Sequence, residues 1–348
     1  MARYNFSCDY LEGAHPKIVQ RMAEENALQE PGYGTDSVSE SAREKIRGAV
    51  GIPDAEVYFL VGGTQANAVV IDGFLRRYEG VVAAGTGHIA VHEAGAIEYC
   101  GHKVLTIPGC RDKMSAEQLE EFMAAFLADE SRDHMVQPGM VYISLPTEFG
   151  SLYSAGELAA LHEACLRHHL PLYVDGARLA YALAAPENDI TLPVLAANCE
   201  AFYIGGTKCG AWLGEAVVFP KRGTIPHFFT LVKEHGALLA KGRLAGIQFD
   251  TLFTDNLYEE IGKNAIRAAQ EIRKVLRACG YRFFSENPTN QIFIILPDEQ
   301  YRAISGEAVL GFWEKADETH TVARIATSWA TTAEQTEYLC RVLKEHAE

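Results

Sequence analysis

Short apolar runs of strand length alternate with stretches of helical spacing along most of this chain. The runs fall at 57–61, 81–84, 104–107, 140–145 and 172–175, the last ending in Asp175. Helical spacing lies between them at about 65–78, 88–100, 116–128 and 155–168. Two further apolar runs follow at 201–204 and 216–218. Strands that are apolar throughout, alternating with helices, predict an α/β fold with a mostly parallel central sheet covered on both faces.

The two ends of the chain read differently. Residues 1–35 are punctuated by Gly13, Pro16, Pro31, Gly32 and Gly34, with one short helix at 16–29. A helix at 37–50 follows Asp36, which is placed to cap it. After about 220 comes a long helical stretch from 228 to 279, broken by glycines. Strands then fall at 283–284, 292–296 and 323–326, with helices between them and at the C-terminus. This reads as a smaller α+β unit. The expected division is an N-terminal segment at 1–35, which the resemblance given below places near the site and a subunit interface, a large domain at 36–245 and a small domain at 246–348.

Composition narrows the function classes. The chain has 348 residues, enough for about two domains. Apolar residues make up 48% and charged residues 22%, which is ordinary globular usage. Lys plus Arg total 31 against 46 acidic residues, a net charge of −15. That balance argues against nucleic acid and anionic membrane surfaces as partners, both of which need clustered positive charge. An anionic small molecule needs only a local site. Cysteines at 8, 100, 110, 165, 199, 209, 279 and 340 form no CxxC pair and read as reduced thiols. The N-terminus has no apolar core of signal-peptide length, and no apolar run reaches the ~18–20 residues of a membrane span. The expectation is a soluble, cytoplasmic protein.

Three short segments carry candidate chemistry. Gly62-Gly63-Thr64 sits where a strand becomes a helix. Unpaired N–H groups and the positive end of the helix dipole bind phosphate there, and glycine permits close approach. The same residues also fit a plain tight turn with a Thr cap. Asp175-Gly176-Ala177-Arg178 places an acid at the C-terminal end of a strand, the usual ligand crevice of an α/β sheet. It also fits a structural Asp175–Arg178 ion pair. Gly205-Gly206-Thr207-Lys208 puts one lysine in a glycine turn after a strand. A desolvated lysine is an amine nucleophile suited to Schiff-base chemistry, whereas an exposed one is only a loop residue. Their order is more specific than any one of them. Asp175 follows Thr64 by 111 residues, and Lys208 follows Asp175 by 33. Phosphate anchor, pyridinium partner and Schiff-base amine are the three handles that pyridoxal 5′-phosphate needs.

On these segments the chain resembles the low-specificity L-threonine aldolases, within the aspartate-aminotransferase-like, fold type I pyridoxal phosphate enzymes. Cys8-Asp9, His15-Pro16, Gly32-Tyr33-Gly34-Thr35-Asp36, Gly87-His88, His92-Glu93-Ala94-Gly95-Ala96 and Arg324-Ile325-Ala326-Thr327-Ser328-Trp329 extend the likeness along nearly the whole chain. The resemblance implies that Lys208 holds the cofactor as a Schiff base and Asp175 pairs with its ring nitrogen. Gly63 and Thr64 would hold the phosphate, with Gly62 and Thr207 as further candidates. His88 would stack on the ring and serve in proton transfer. Arg178 and Arg324 would clamp the substrate carboxylate, a task suited to a planar guanidinium. It also implies a homo-oligomer, dimer or tetramer, with the site at a subunit interface. Tyr33 would reach a neighbour's site, and Lys241 and Arg243 a neighbour's phosphate, although an exposed basic turn fits those two equally.

Two positions depart from the family pattern. Cys8 stands where many relatives carry a carboxylate-binding serine, and a thiol is the weaker donor. Glu148 or Phe149 stands where many carry a second histidine near the substrate hydroxyl. Glu148 fits a base, a hydrogen-bond partner or a polar strand end. His88 and His92 are four residues apart, but the order is HxxxHE rather than HExxH and no third ligand is evident, so no metal is expected. The implied reaction is retro-aldol cleavage of a β-hydroxy-α-amino acid to glycine and an aldehyde. β-Elimination, racemisation and transamination start from the same Schiff base, and a non-catalytic binding protein on this fold is the remaining alternative.

Overall fold

The computed structural model describes residues 4–347. Met1–Arg3 and Glu348, the outer ends of the expected segments 1–35 and 246–348, lie outside the described residues.

Seven strands build the larger sheet: β1 (Glu56–Leu60), β2 (Glu79–Ala84), β3 (Lys103–Ile107), β4 (Gln137–Ser144), β5 (Leu172–Asp175), β6 (Ala201–Gly205) and β7 (Glu215–Phe219). Their order is β1-β7-β6-β5-β4-β2-β3. Pairings from β3 through β6 are parallel, while β7 runs antiparallel to both β6 and β1. The sheet is thus mostly parallel, as the alternation of strands and helices predicts.

Alternation along each strand divides two cores. Val82, Val141, Ile143, Val174, Phe202, Ile204 and Val218 face one helical layer. Val81, Met140, Tyr142, Tyr173, Tyr203 and Val217 face the other, with Ala66, Val69, Val70 and Ile71 of the helix Gly63–Phe74. The period of two therefore sets three tyrosines from three adjacent strands on one face. Helix starts follow their side-chain caps. Asp36 accepts from the Ser39 N–H, and Ser115, Ser154 and Thr332 each form a reciprocal capping box.

The expected helix at 88–100 is two single turns, His88–Val91 and Ala96–Tyr99. Ala94 and Gly95 between them are left-handed, with φ of 52° and 74°, and that reversal ends the first turn. The helix expected at 16–29 stops at Glu25, and the one expected at 65–78 spans Gly63–Phe74.

A second, wholly antiparallel sheet has the order β10-β11-β9-β8. Its strands are β8 (Arg282–Ser285), β9 (Gln291–Pro297), β10 (Gly311–Lys315) and β11 (His320–Ala326). Ile292, Ile294, Ala323 and Ile325 pack one face against the helices Leu257–Ala278 and Ala333–Glu345. Phe293 and Val322 on the other face meet Phe149 and Trp313. The N-terminal segment is stitched to this unit: Phe6 N–H donates to Val309 O, and Ala326 N–H to Phe6 O, both at 2.8 Å. The expected boundary between 245 and 246 falls inside the helix Arg243–Leu252, which packs on the helices Ser37–Val50 and Pro16–Glu25. All eight cysteines are free thiols. Among the described residues no helix is long and apolar enough to cross a membrane.

Candidate active site

A cavity of about 270 Å³ opens at the C-terminal ends of β4, β5 and β6, and it collects most of the motifs singled out above. Gly62, Gly63, Thr64, His88, Glu148, Asp175, Arg178, Thr207 and Lys208 all line it. Further polar residues not singled out line it too, among them Tyr10, Ser144, Tyr203 and Glu215.

The phosphate turn is a bare helix start. Gly62, not Thr64, is the N-cap of the helix Gly63–Phe74, and no side chain caps it. The first intrahelical bond runs from Ala66 N–H to Gly62 O, so the N–H groups ahead of it remain for an anion. A Cβ on Gly63 would stand 2.9 Å from the Tyr203 hydroxyl, so this position admits only glycine without a shift.

Asp175 ends β5 and is buried. Tyr203 donates to its Oδ1 at 2.5 Å and Ala177 N–H to the same oxygen at 2.9 Å. Tyr142 donates to its Oδ2 at 2.7 Å and Asn67 Nδ2 at 3.1 Å. Burial pushes this carboxyl up, but the nearby His88 ring, the two tyrosine hydroxyls and the Ala177 N–H together hold it below the usual range. An ionised acid fixed in this way suits a protonated ring nitrogen. Asn67 is itself aimed by Tyr173, whose hydroxyl donates to Asn67 Oδ1 at 3.1 Å.

Lys208 follows β6 in the turn Gly206–Lys208. Its Nζ lies 5.9 Å from the centre of the Tyr10 ring. Burial and the Arg178 charge lower its pKa, partly opposed by Asp9, Asp175 and Glu215. The shift favours the neutral amine that carbonyl chemistry needs.

His88 is set from two sides. Its Nδ1 lies 2.6 Å from Glu93 Oε1, and its backbone N–H donates to Glu148 Oε1 at 3.0 Å. The same Glu148 oxygen accepts from Ser144 at 2.7 Å. Burial raises the Glu148 pKa.

Arg178 does not pair with Asp175. Its Nε and Nη2 hold Asp9 at 2.6 and 3.0 Å, and Asn290 Nδ2 braces Asp9 Oδ2 at 2.9 Å. That leaves Nη1 of the fork for a ligand. Arg178 overcomes the burial cost of Asp9 and holds its carboxyl down at about 2.

Other expected residues stand outside the cavity wall. Arg324 donates Nε and Nη2 to Ser7 O and stacks 5.4 Å from the Trp313 ring centre. Cys8 lies next to that carbonyl, outside the wall. Tyr33 lines a separate cavity of about 560 Å³ together with Gly242. Lys241 and Arg243 flank Gly242, and Arg243 donates to the Leu28 and Asn26 carbonyls.

Lysine amine, ionised acid and bare helix start around one cavity fit the aldehyde, ring nitrogen and phosphate of pyridoxal phosphate. Comparison with known proteins agrees. A model of the beta-eliminating lyase family matches residues 5–299. The chain is 30% identical over 268 residues to a low specificity L-threonine aldolase of Pseudomonas sp. (strain NCIMB 10558), covering 76% of each chain. It is 26% identical over 343 residues to the low specificity L-threonine aldolase of Pseudomonas aeruginosa, covering 97% of this chain and 96% of that one. The solved structure of Leishmania major threonine aldolase matches with a TM-score of 0.95 at 40% identity, covering 99% of this chain and 100% of that one. Aspartate aminotransferase of Thermus thermophilus shares the fold, with a TM-score of 0.72 at 13% identity, covering 99% of this chain and 91% of that one. The architecture is therefore that of the fold type I enzymes, and the chain belongs to the beta-eliminating lyase family.

Proposed function

We propose that this protein is a pyridoxal-phosphate-dependent threonine aldolase, cleaving L-threonine, L-allo-threonine or a related β-hydroxy-α-amino acid to glycine and an aldehyde. The observation that carries the reading is the meeting of Lys208, Asp175 and the bare helix start at Gly63 around one cavity. The likeness to threonine aldolases over nearly the whole chain supports the same reaction.

The bound cofactor supplies an electron sink for the bond broken at the substrate Cα. The chain's own residues do the rest. Lys208 holds the cofactor covalently through its amine. Asp175 keeps a proton at the ring nitrogen. The N–H groups at Gly63 and Thr64, with Gly62 and the Thr207 hydroxyl beside them, take the phosphate. Arg178 offers Nη1 to the substrate carboxylate, with its other edge fixed by Asp9. Arg324, whose charge is felt together with those of Arg178 and Asp9, and the neighbouring Cys8 are the further candidates for that carboxylate. His88 covers the ring. Glu148, buried and facing the cavity, receives the proton of the substrate hydroxyl.

The same reading includes a homo-oligomer in the cytoplasm. Tyr33, Lys241 and Arg243 lie away from their own chain's cavity, which supports their serving a neighbour's site. The deciding experiment incubates the cofactor-loaded protein with L-threonine and L-allo-threonine and assays glycine and aldehyde. Both products should appear, and Lys208→Ala should abolish them. Pyruvate from serine without aldehyde from threonine would overturn the reading in favour of β-elimination.

A further inference from the structure

Glu215 is a buried carboxyl in the wall of the anion pocket, and the mechanism above leaves it unused. It opens β7, opposite Leu60 of β1 and Gly205 of β6. Leu60 runs on into Gly62-Gly63-Thr64, and Gly205 into Thr207-Lys208. The preceding residue is tied to both turns: Gly214 N–H donates to Val61 O at 3.0 Å, and Gly214 O accepts from Gly206 and Thr207 N–H. Glu215 is 3% exposed, and its Oε2 accepts from Gly206 N–H at 3.1 Å. Among the described residues no cation lies within ion-pair distance of it. It shares the cavity wall with Gly62, Gly63, Thr64 and Thr207.

The groups facing Glu215 come from each neighbouring element. The turn after β6 contributes Lys208, Cys209 and the Thr207 hydroxyl, β5 contributes Tyr173 and Asp175, β6 contributes Tyr203, and the helix Leu257–Ala278 contributes Tyr258. The β1 side and the start of the helix Gly63–Phe74 contribute amides and the Thr64 hydroxyl, but no charge. Burial pushes the Glu215 carboxyl up to about 8, with Asp175 adding to the push; Thr207, Lys208 and the Gly206 N–H oppose it.

A phosphate ester drawn to the bare helix start brings between one and two negative charges to this same wall. Two anions sharing a buried site cannot both stay ionised without a cation between them. We propose that Glu215 carries a proton when the cofactor is bound and donates it in a hydrogen bond to the phosphate, so that binding to the form with an ionised Glu215 takes up one proton from solvent. The inference rests on the cofactor reading above. It makes Glu215 a binding residue, and it gives cofactor affinity a pH dependence set by this side chain.

The test titrates pyridoxal phosphate into the full-length apoprotein by equilibrium dialysis, on both sides of about pH 8. Wild-type affinity should fall about tenfold per pH unit above that point. Glu215→Gln, which donates without titrating, should flatten this slope and bind tighter than wild type at the alkaline end. Calorimetry in buffers of different ionisation enthalpy should show less proton uptake for the variant. Pyridoxal, which lacks the phosphate, should show the same slope in both proteins.

Parallel curves for wild type and Glu215→Gln with pyridoxal phosphate would overturn the proposal. So would a slope difference that persists with pyridoxal, since Glu215 would then answer to Lys208. Glu215→Ser replaces the glutamine variant if circular dichroism shows that the latter does not fold. Serine donates without titrating, so the same flattening is expected. Failure of the wild-type protein to bind pyridoxal phosphate at any pH would overturn the cofactor reading itself, a result distinct from parallel curves.

Discussion

Glu93 Oε1 lies 2.6 Å from His88 Nδ1, and the Glu93 side chain is wholly shielded from solvent. The two residues belong to one short segment that doubles back at the left-handed Ala94 and Gly95. Asn67 donates to the same oxygen at 2.7 Å and to Asp175 at 3.1 Å. Glu93 thus links the His88 ring to Asp175 through Asn67. The expected outcome of Glu93→Gln is a drop in kcat of roughly tenfold to a hundredfold, with KM nearly unchanged, because the His88 ring loses the carboxylate that orients it in the cavity. Steady-state kinetics on threonine check it. An equal loss in kcat and cofactor affinity would mean that Glu93 only supports the fold.

Tyr203 gives Asp175 its shortest hydrogen bond. Tyr203→Phe removes a donor from a buried carboxylate, which costs about 1–3 kcal/mol. The Asp175 pKa then rises, because one of the bonds that hold it down is lost. Cofactor retention at mildly acidic pH should weaken first. Dialysis followed by absorbance of the retained cofactor measures this, and retention equal to wild type at every pH would contradict it.

Asp9 makes stability depend on acid. Its carboxyl sits at about 2 in the fold, below the ordinary carboxylate value of about 4. A lowered value stabilises the fold above the unfolded pKa, and the contribution is lost as pH falls through about 2. The size is on the order of 2 kcal/mol. Asp9→Asn should erase this part of the acid limb. At neutral pH it should destabilise by about 3–5 kcal/mol, because Arg178 is left buried without its counter-charge. Urea melts across pH measure both effects.

Two glycine-to-alanine substitutions should part in sign. A Cβ on Gly205 would stand 2.3 Å from the Ala177 carbonyl oxygen, a backbone atom that cannot swing away. Gly205→Ala should cost about 1–3 kcal/mol or more. Gly156, in the first turn of the helix Ala155–Arg167, would meet only Ser154 Oγ at 3.9 Å. Gly156→Ala should stabilise by up to about 1 kcal/mol. Thermal melts of the two variants decide it.

What the sequence disclosed was what is local along the chain. The turns at Gly63, Asp175 and Lys208 sit at strand ends, and each strand end is marked by an apolar run. The partners were harder to find. Arg178 lies three residues from Asp175, yet it pairs with Asp9, 169 residues away. Tyr142, Tyr173 and Tyr203 read as strand residues, and only the register of β4, β5 and β6 aims their hydroxyls at Asn67 and Asp175. Glu215 was hidden beside an apolar run at 216–218, which read simply as a strand. The break at Ala94 leaves no mark in the sequence, because alanine favours helix and its positive φ runs against that preference.

The stitching of the N-terminal segment to the smaller sheet has a consequence for biosynthesis. Asp9 needs Asn290, 281 residues further on, and the Ser7 carbonyl needs Arg324, 317 residues further on. While the chain is being made, the first segment waits for nearly the last strand. The larger sheet has all its strands once Phe219 has emerged, whereas the corner built on Asp9 and Arg178 closes only near the end of translation. A nascent chain is therefore able to fold its scaffold long before it has a working site, and trimming the first nine residues would leave the finished scaffold with that corner open.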